Sequence, residues 1–361
     1  MTHPYPLFNI DKSANNVIYE FIINSNKYAI DISLILLFCS STLILFLYMI
    51  KPLFYRNENK YKLNYPDICD KLPVNLDERI KYYEKQSQTI TQIGPEYPFI
   101  IRLDGRAFTK FTKQFKKINK DIPYSIEFKT AMIKTCHDLL HEFNPSTVYT
   151  HSDEITMIFN SAIVEDNIHQ HIFGGKVFKL LSLISAFASV RFNANLNIQK
   201  NDSTFNTKVK INENPTFDAI VIVFPKSYEI VNHMMWRSKG DCTRNFISMF
   251  AEKFIPKKQL QHMNLTTRIE NLQKIGINLS GENIDYSLKH GIFIKKCSPT
   301  INGEIITNFY VFKNYKFAED MLNFLLCDHG NKYNMENLSS MNPIVYDITN
   351  YNELFIIPSY Q

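Results

Sequence analysis

Cysteine is too scarce and too scattered in this sequence to organise a fold. Six residues (Cys39, Cys69, Cys136, Cys242, Cys297 and Cys327) are spread over 361 positions, and no two form a C-x-x-C pair. That argues against a disulfide framework and against a thiolate zinc site, and it fits reduced thiols in a cytosol-like compartment. Histidine supplies no zinc motif either. His137 and His141 lie four apart, but Asp138 and Leu140 between them do not make H-E-x-x-H. Internal repeats and extended low-complexity tracts are missing. So is strong charge: a formal net charge of +5 suits a phosphate-rich partner without identifying one. With 45% hydrophobic and 21% charged residues, the chain reads as a folded protein of one large or two modest domains.

Charge is absent altogether from Ile32 to Ile50, 19 residues that include the run Leu34 to Phe38. As a helix this segment would rise about 28 Å, close to the roughly 30 Å hydrocarbon core of a bilayer. A cleaved signal peptide fits poorly because no A-x-A site follows, and a mitochondrial transit peptide because Met1 to Tyr28 has no Arg but contains Asp11 and Glu20. Lys51, Arg56, Lys60 and Lys62 crowd the C-terminal flank, so the positive-inside rule puts the rest of the chain in the cytosol. The expectation is a single-pass membrane protein: an N-terminal tail over 1–31, a transmembrane helix over 32–50 and a juxtamembrane linker over 51–75. A buried helix in a soluble core is the plainer alternative. Which membrane would hold the anchor is not legible.

Further along, Leu76 to Thr91 has helical apolar spacing, and Tyr97 to Leu103 reads as a buried strand broken by Asp104-Gly105. A helix follows around Ser125 to Phe143. Then Val148 to His151, the polar turn Ser152-Asp153, and Glu154 to Phe159 read as strand, turn, strand. Val177 to Val190 is helical in spacing and Phe217 to Phe224 is another strand. The order β-α-β-β-α-β predicts an α+β, ferredoxin-like, palm-type catalytic domain over 76–225. The remainder, 226–361, reads as mostly helical, with a late strand at Gly291 to Lys295.

In that topology Asp104 ends the first strand and Asp153 sits between the second and third, so their carboxylates can converge on one sheet edge. Oxygen donors of this kind suit Mg²⁺, which is usually held by one or two carboxylates plus substrate phosphates. Single aspartates at strand ends are also ordinary turn formers, and spacing alone leaves both readings open. Lys110, Lys113, Lys116, Lys117 and Lys120, with Asn119, form a basic cluster able to hold a triphosphate or simply to face solvent. Lys176 and Lys179, which open a helix after Gly174-Gly175, are equally ambiguous.

Several stretches in order resemble one family. Arg102-Leu103-Asp104-Gly105-Arg106-Ala107-Phe108 is similar to the R-L-D-G-R-x-F signature of tRNA-histidine guanylyltransferases and their 3′–5′ polymerase relatives. Ser152-Asp153-Glu154 resembles the family's S-D-E turn. Asp77 to Lys81 with Tyr83-Glu84, Phe187-Ala188-Ser189 and Phe217-Asp218-Ala219 add to the likeness, as does Trp236-Arg237-Ser238 followed by Asp241-Cys242 and Asn245. The resemblance implies a Mg²⁺-dependent nucleotidyltransferase that activates a tRNA 5′ end with ATP or GTP. The 3′-hydroxyl of an incoming nucleotide then attacks the activated phosphate.

Carried over by motif, Asp104, Asp153 and the Gly105 carbonyl would ligate two Mg²⁺ ions, with Glu154 beside them as ligand or support. Gly105, Arg106, Ala107, Phe108, Lys116, Lys117, Asn119 and Ser152 would hold the nucleotide. Lys176, Lys179, Arg237 and Arg244 would touch tRNA in part through a helical C-terminal region, and the family pattern implies a homotetramer. Three departures stand out. Thr243 follows Asp241-Cys242 where enzymes adding G to tRNA-His carry histidine, which points to template-dependent repair of 5′-truncated tRNA. Ile220 replaces the usual arginine after F-D-x, and Lys116-Lys117-Ile118-Asn119 differs from the usual triphosphate stretch. A membrane-bound nucleotide cyclase with a related palm and a catalytically inactive RNA-binding relative remain as alternatives.

Overall fold

The computed structural model describes residues 73, 75–116, 125–164, 167–201, 214–279 and 285–297, with shorter stretches at 300–301, 304–305, 308–312, 321–326 and 345–347. The apolar span Ile32 to Ile50 and the residues Lys117 and Asn119 lie outside them.

The chain enters through α1 (Leu76–Ser87), whose N-cap Asn75 accepts hydrogen bonds from the amides of Asp77 and Glu78. Next come β1 (Phe99–Arg106), α2 (Phe108–Lys116) and α3 (Ile126–Phe143). Helix α3 is capped by the Ser125 hydroxyl and ends at Asn144 in the left-handed region. Strands β2 (Thr147–His151) and β3 (Glu154–Phe159) form a hairpin, followed by α4 (Val177–Asn201) and β4 (Thr216–Val223). The expected β-α-β-β-α-β order is present, and its four strands pair antiparallel in the order β2-β3-β1-β4.

The C-terminal part adds more strand than its sequence promised. After α5 (Ser227–Met235), a π-helical turn (Trp236–Cys242), α6 (Thr243–Phe254), α7 (Leu265–Lys274) and α8 (Tyr286–His290) come three strands. These are β5 (Ile292–Cys297), β6 (Asn308–Phe312) and β7 (Val345–Asp347), and they extend the same sheet to β7-β6-β5-β2-β3-β1-β4. The boundary expected at 225 therefore does not divide the sheet. A second difference lies in β1, which runs through Asp104-Gly105 instead of breaking there, with Gly105 opposite Phe217 and Arg106 opposite Thr216.

Alternation fixes the register. Phe99, Ile101 and Leu103 point to the face covered by α3 and α4, where they join Ile155, Met157, Val221 and Val223. Ile100 points the other way and meets Tyr83 of α1 and Ile230 and Met234 of α5. A slip of one residue would drive Arg102 and Asp104 into the larger core, forfeiting about 1.5–3 kcal/mol for each large apolar side chain expelled. Among the described residues, Val177–Leu196 of α4 is the helix long and apolar enough to cross a bilayer. Its Val177, Leu180, Ile184, Ala188 and Phe192 are instead packed into that core.

Candidate active site

The second sheet face turns polar at one end. Register places His151 opposite Glu154, Glu154 opposite Asp104, and Asp104 opposite Asp218, so four adjacent strands present one polar row. Asp153 belongs to the β2–β3 turn immediately before Glu154, where the Ser152 hydroxyl donates to its Oδ1 at 3.0 Å. The two aspartates expected to converge therefore lie at the ends of neighbouring strands. Asp218 is a third, exposed carboxylate in the group and was not singled out from sequence. The strand alternation through Phe217-Asp218-Ala219 carried that signal.

Two non-glycine residues near the carboxylates sit in the left-handed region: Ser152, in the turn that holds Asp153, at φ 51°, and Ala107, just past the end of β1, at φ 59°. Each such residue costs about 1–2 kcal/mol relative to ordinary backbone. Gly105 has a different role from the one its D-G context implied. A Cβ there would lie 2.4 Å from the Phe108 ring, so the position is closed to side chains by packing. Phe108 is itself buried among Phe111, Phe128, Phe192 and Phe217, so its ring faces the core and a contact with nucleotide would run through its backbone. Its ring supports the turn from below. Arg106 is exposed beside it, and Lys116 ends α2.

Electrostatics single out the carboxylate group. Partial burial, then the neighbouring Asp153 and Asp218, raise the Asp104 carboxyl above its ordinary value. Burial also raises Asp153, against the lowering effect of the Ser152 hydroxyl. Among the described residues none of Asp104, Asp153 and Asp218 has a cationic side chain within 4.0 Å. Hard oxygen donors that repel one another and lack a cation form a donor set that fits Mg²⁺.

Glu154 is treated differently. Its Oε2 pairs with Nη2 of Arg237, whose Nη1 donates to Asp241 Oδ2 at 2.7 Å. The Arg237 side chain is only 5% exposed, which corrects the expected tRNA contact: the guanidinium is enclosed between two carboxylates. Arg244 pairs with Asp241 too and keeps an exposed side chain. Lys176 and Lys179 are exposed at the other end of the sheet from the carboxylates. Lys176 bridges Gln92 and Lys179 lies over the Phe173 ring. Ser189, whose hydroxyl accepts from the Phe217 amide near the site, is about 15 Å further along α4. The structure thus does not bring these lysines to Asp104.

Sequence reasoning also missed His151. Both ring nitrogens are buried without a hydrogen-bond partner, and burial followed by the Arg237 charge pushes its pKa down to about 3. It is neutral at any physiological pH.

A tRNAHis guanylyltransferase family model matches residues 77–225, the stretch that carries β1 to β4 and the aspartates. An uncharacterised protein of Acanthamoeba polyphaga mimivirus is 33% identical over 266 residues, covering 69% of this chain and 88% of that protein. A tRNA(His) guanylyltransferase of Debaryomyces hansenii is 26% identical over 164 residues, covering 45% of this chain and 56% of that protein. Among solved structures, a bacterial tRNA(His) guanylyltransferase-like protein in complex with GTP has the same fold. It aligns with a TM-score of 0.50 at 23% identity, covering 69% of this chain and 98% of that one.

Proposed function

We propose that this chain, which belongs to the tRNAHis guanylyltransferase family, is a Mg²⁺-dependent nucleotidyltransferase that extends the 5′ end of tRNA in the 3′–5′ direction. The observation that carries this reading is the group of three carboxylates, Asp104 and Asp218 opposite each other on paired strands and Asp153 in the neighbouring turn, unneutralised among the described residues, inside the segment matched to the family. ATP or GTP would transfer its nucleoside monophosphate to the 5′ phosphate, releasing pyrophosphate. The 3′-hydroxyl of the incoming nucleotide would then attack the activated phosphate, lose its proton and expel that monophosphate. Bound Mg²⁺ supplies a counter-charge for the attacking and leaving oxygens. Asp104 and Asp153 would hold it, Asp104 presented by the paired strand β1 and Asp153 by the turn in which Ser152 is left-handed. Arg106, exposed at the end of β1, would meet phosphate.

Template-dependent repair is the form of the activity we favour. Thr243, standing where G-adding enzymes carry histidine, has its hydroxyl tied to the Lys289 carbonyl at 3.2 Å and opens α6. Purified protein incubated with Mg²⁺, labelled nucleoside triphosphates and tRNAs lacking one 5′ nucleotide should add the base complementary to the opposing position. Addition of G alone, only to tRNA-His, would replace repair with guanylylation. Cyclised nucleotide formed without any tRNA would favour the cyclase alternative instead.

The reading includes assembly into a homotetramer and a membrane anchor at Ile32 to Ile50 that leaves the enzyme in the cytosol. Sedimentation of the purified protein tests the first. Carbonate extraction tests the second, and release of the intact chain from membranes would remove the anchor.

A further inference from the structure

The carboxylates at this end of the sheet form two electrostatic sets. Glu154 and Asp241 carry two negative charges, and Arg237 with Arg244 carries two positive ones, so that set is balanced internally. Asp104, Asp153 and Asp218 carry three negative charges with no ion-pair partner among the described residues. Yet Glu154 stands directly opposite Asp104 in the ladder and immediately follows Asp153 in the chain. Left unpaired, it would face a like charge across the strands, which is destabilising, and would offer a competing oxygen to any cation.

The segment that prevents this is unusual. Trp236–Cys242 is a π-helical turn, a rare wide turn that is frequent at functional sites. It is fastened to the end of α8 by the Ser238 hydroxyl to the His290 carbonyl at 2.6 Å, the Cys242 thiol to the Leu288 carbonyl at 3.8 Å and His290 Nδ1 against the Ser238 carbonyl at 3.4 Å. Thr243, the first residue of α6, adds its hydroxyl to the Lys289 carbonyl. From that platform Arg237 and Asp241 both reach Glu154's end of the row. His151, Glu154 and Asp241 also bring ligand atoms within 4.8 Å of one another, a grouping able to hold a metal ion, with His151 buried and unpartnered. The guanidinium of Arg237 already pairs with both carboxylates of that trio.

We propose that Arg237, held by Asp241 across the π-helical turn, is a positioning residue: it neutralises Glu154, keeps it out of the metal-ligand set and fixes the Ser152-Asp153 turn against the end of β1. The proposal rests on the nucleotidyltransferase reading. It assigns the cation to the three aspartates and denies it to the His151–Glu154–Asp241 trio.

The test uses the full chain with Arg237→Met, Arg237→Lys, Glu154→Gln, Asp153→Asn and the Arg237→Met/Glu154→Gln double variant. Readouts are transfer to a 5′-truncated tRNA, Mn²⁺ binding followed by electron paramagnetic resonance, and thermal unfolding. Arg237→Met should lower kcat by about 10²-fold with the nucleotide KM little changed, because a small misplacement of the reacting groups has that effect. Arg237→Lys should restore part of the loss. The double variant should recover about tenfold over Arg237→Met, since it no longer strands a buried carboxylate. Glu154→Gln should keep Mn²⁺ affinity within about twofold while Asp153→Asn loses at least about tenfold.

Loss of Mn²⁺ affinity in Glu154→Gln as large as in Asp153→Asn would make Glu154 a ligand and overturn the proposal. Unchanged kcat in a folded Arg237→Met protein would do the same. If Arg237→Met does not fold, the Glu154→Gln binding arm decides. A wild-type protein that transfers nothing to any tRNA counts against the functional reading, and the Mn²⁺ arm still judges the inference separately.

Discussion

Acidic side chains on the polar face of this sheet and on the helices covering it receive two opposite treatments. Glu84 meets Arg102 at 2.6 Å, Glu229 meets Arg79 at 3.1 Å, and Asp241 and Glu154 share Arg237. These pairs tie α1 to β1, α1 to α5, and the π-helical turn to β3. The three aspartates at the strand ends tie nothing together. Asp104 and Asp153 are even held above their ordinary pKa values, a state that costs stability at neutral pH. The proposed function gives that self-repelling group a use: a cation from outside the chain would neutralise it. The difference separates scaffold from site more sharply than burial does, because the adjacent Asp153 and Glu154 are both half-buried yet only Glu154 has a cationic partner.

The largest effect expected from this division falls on the unpaired set. Asp104→Ala or Asp153→Ala should abolish nucleotide addition, a loss of about 10²-fold or more, because transition-state charge loses several kcal/mol of stabilisation. Neither change should lower the unfolding temperature, since each removes a carboxylate that the fold does not use. Single-turnover assays beside thermal melts would show it. Near-normal turnover in either folded variant would break the comparison outright.

Gly105→Ala asks whether the site depends on the apolar core beneath it. The added methyl would meet the Phe108 ring at 2.4 Å, and Phe108 is wedged against four other phenylalanines, so the ring cannot easily give way. Overpacking of this kind typically costs about 1–3 kcal/mol. Chemical denaturation should register it as a lower midpoint with an unchanged slope. A smaller loss would mean that Gly105 is required for ligand approach and not for packing.

Glu84→Gln probes the paired set. The Arg102–Glu84 contact is part-buried, and the amide oxygen can still accept from the guanidinium. A destabilisation of about 1 kcal/mol or less is expected, with Mn²⁺ binding unaffected. Turnover lost to the extent seen with Asp104→Ala would erase the line between the two groups of acids.

Much of this arrangement was legible from residues alone, for identifiable reasons. The apolar run from Tyr97 to Leu103 and the strand, polar turn, strand pattern around Ser152-Asp153 gave both strands, while the faces they present follow from the pairing register. The S-D-E turn and the R-L-D-G-R stretch placed Asp104 and Asp153 at neighbouring strand ends. What could not be read were contacts made across long sequence separations. Arg237 reads from the Trp236-Arg237-Ser238 stretch as a tRNA contact, whereas its partner Glu154 lies over eighty residues away. Strands β6 and β7 were missed because short strand segments separated by polar residues carry weak periodicity. Asp104-Gly105 read as a break because D-G favours turns, yet pairing on both sides with β3 and β4 held the backbone extended.

The smallest effect, and the most direct reading of the repulsion, concerns pH. Asp104 has its carboxyl raised above the ordinary value of 3.8 by partial burial and by Asp153 and Asp218. Well below 3.8 the group is protonated in both folded and unfolded chains and contributes nothing. As pH rises from there, the unfolded chain loses its proton first, so stability falls until the folded carboxyl has also ionised, and then stays level. Asp104→Asn removes this contribution. In a chelating buffer the variant should therefore gain on the wild type between about pH 4 and neutrality, by on the order of 1 °C in Tm given the exposure of the side chain. Adding Mg²⁺ should reverse the order, because the cation stabilises only a chain that can bind it. Melting curves across pH, with and without Mg²⁺, would decide. If the two proteins track each other in chelator, the carboxylates do not repel, and the case for a group left open to a cation fails.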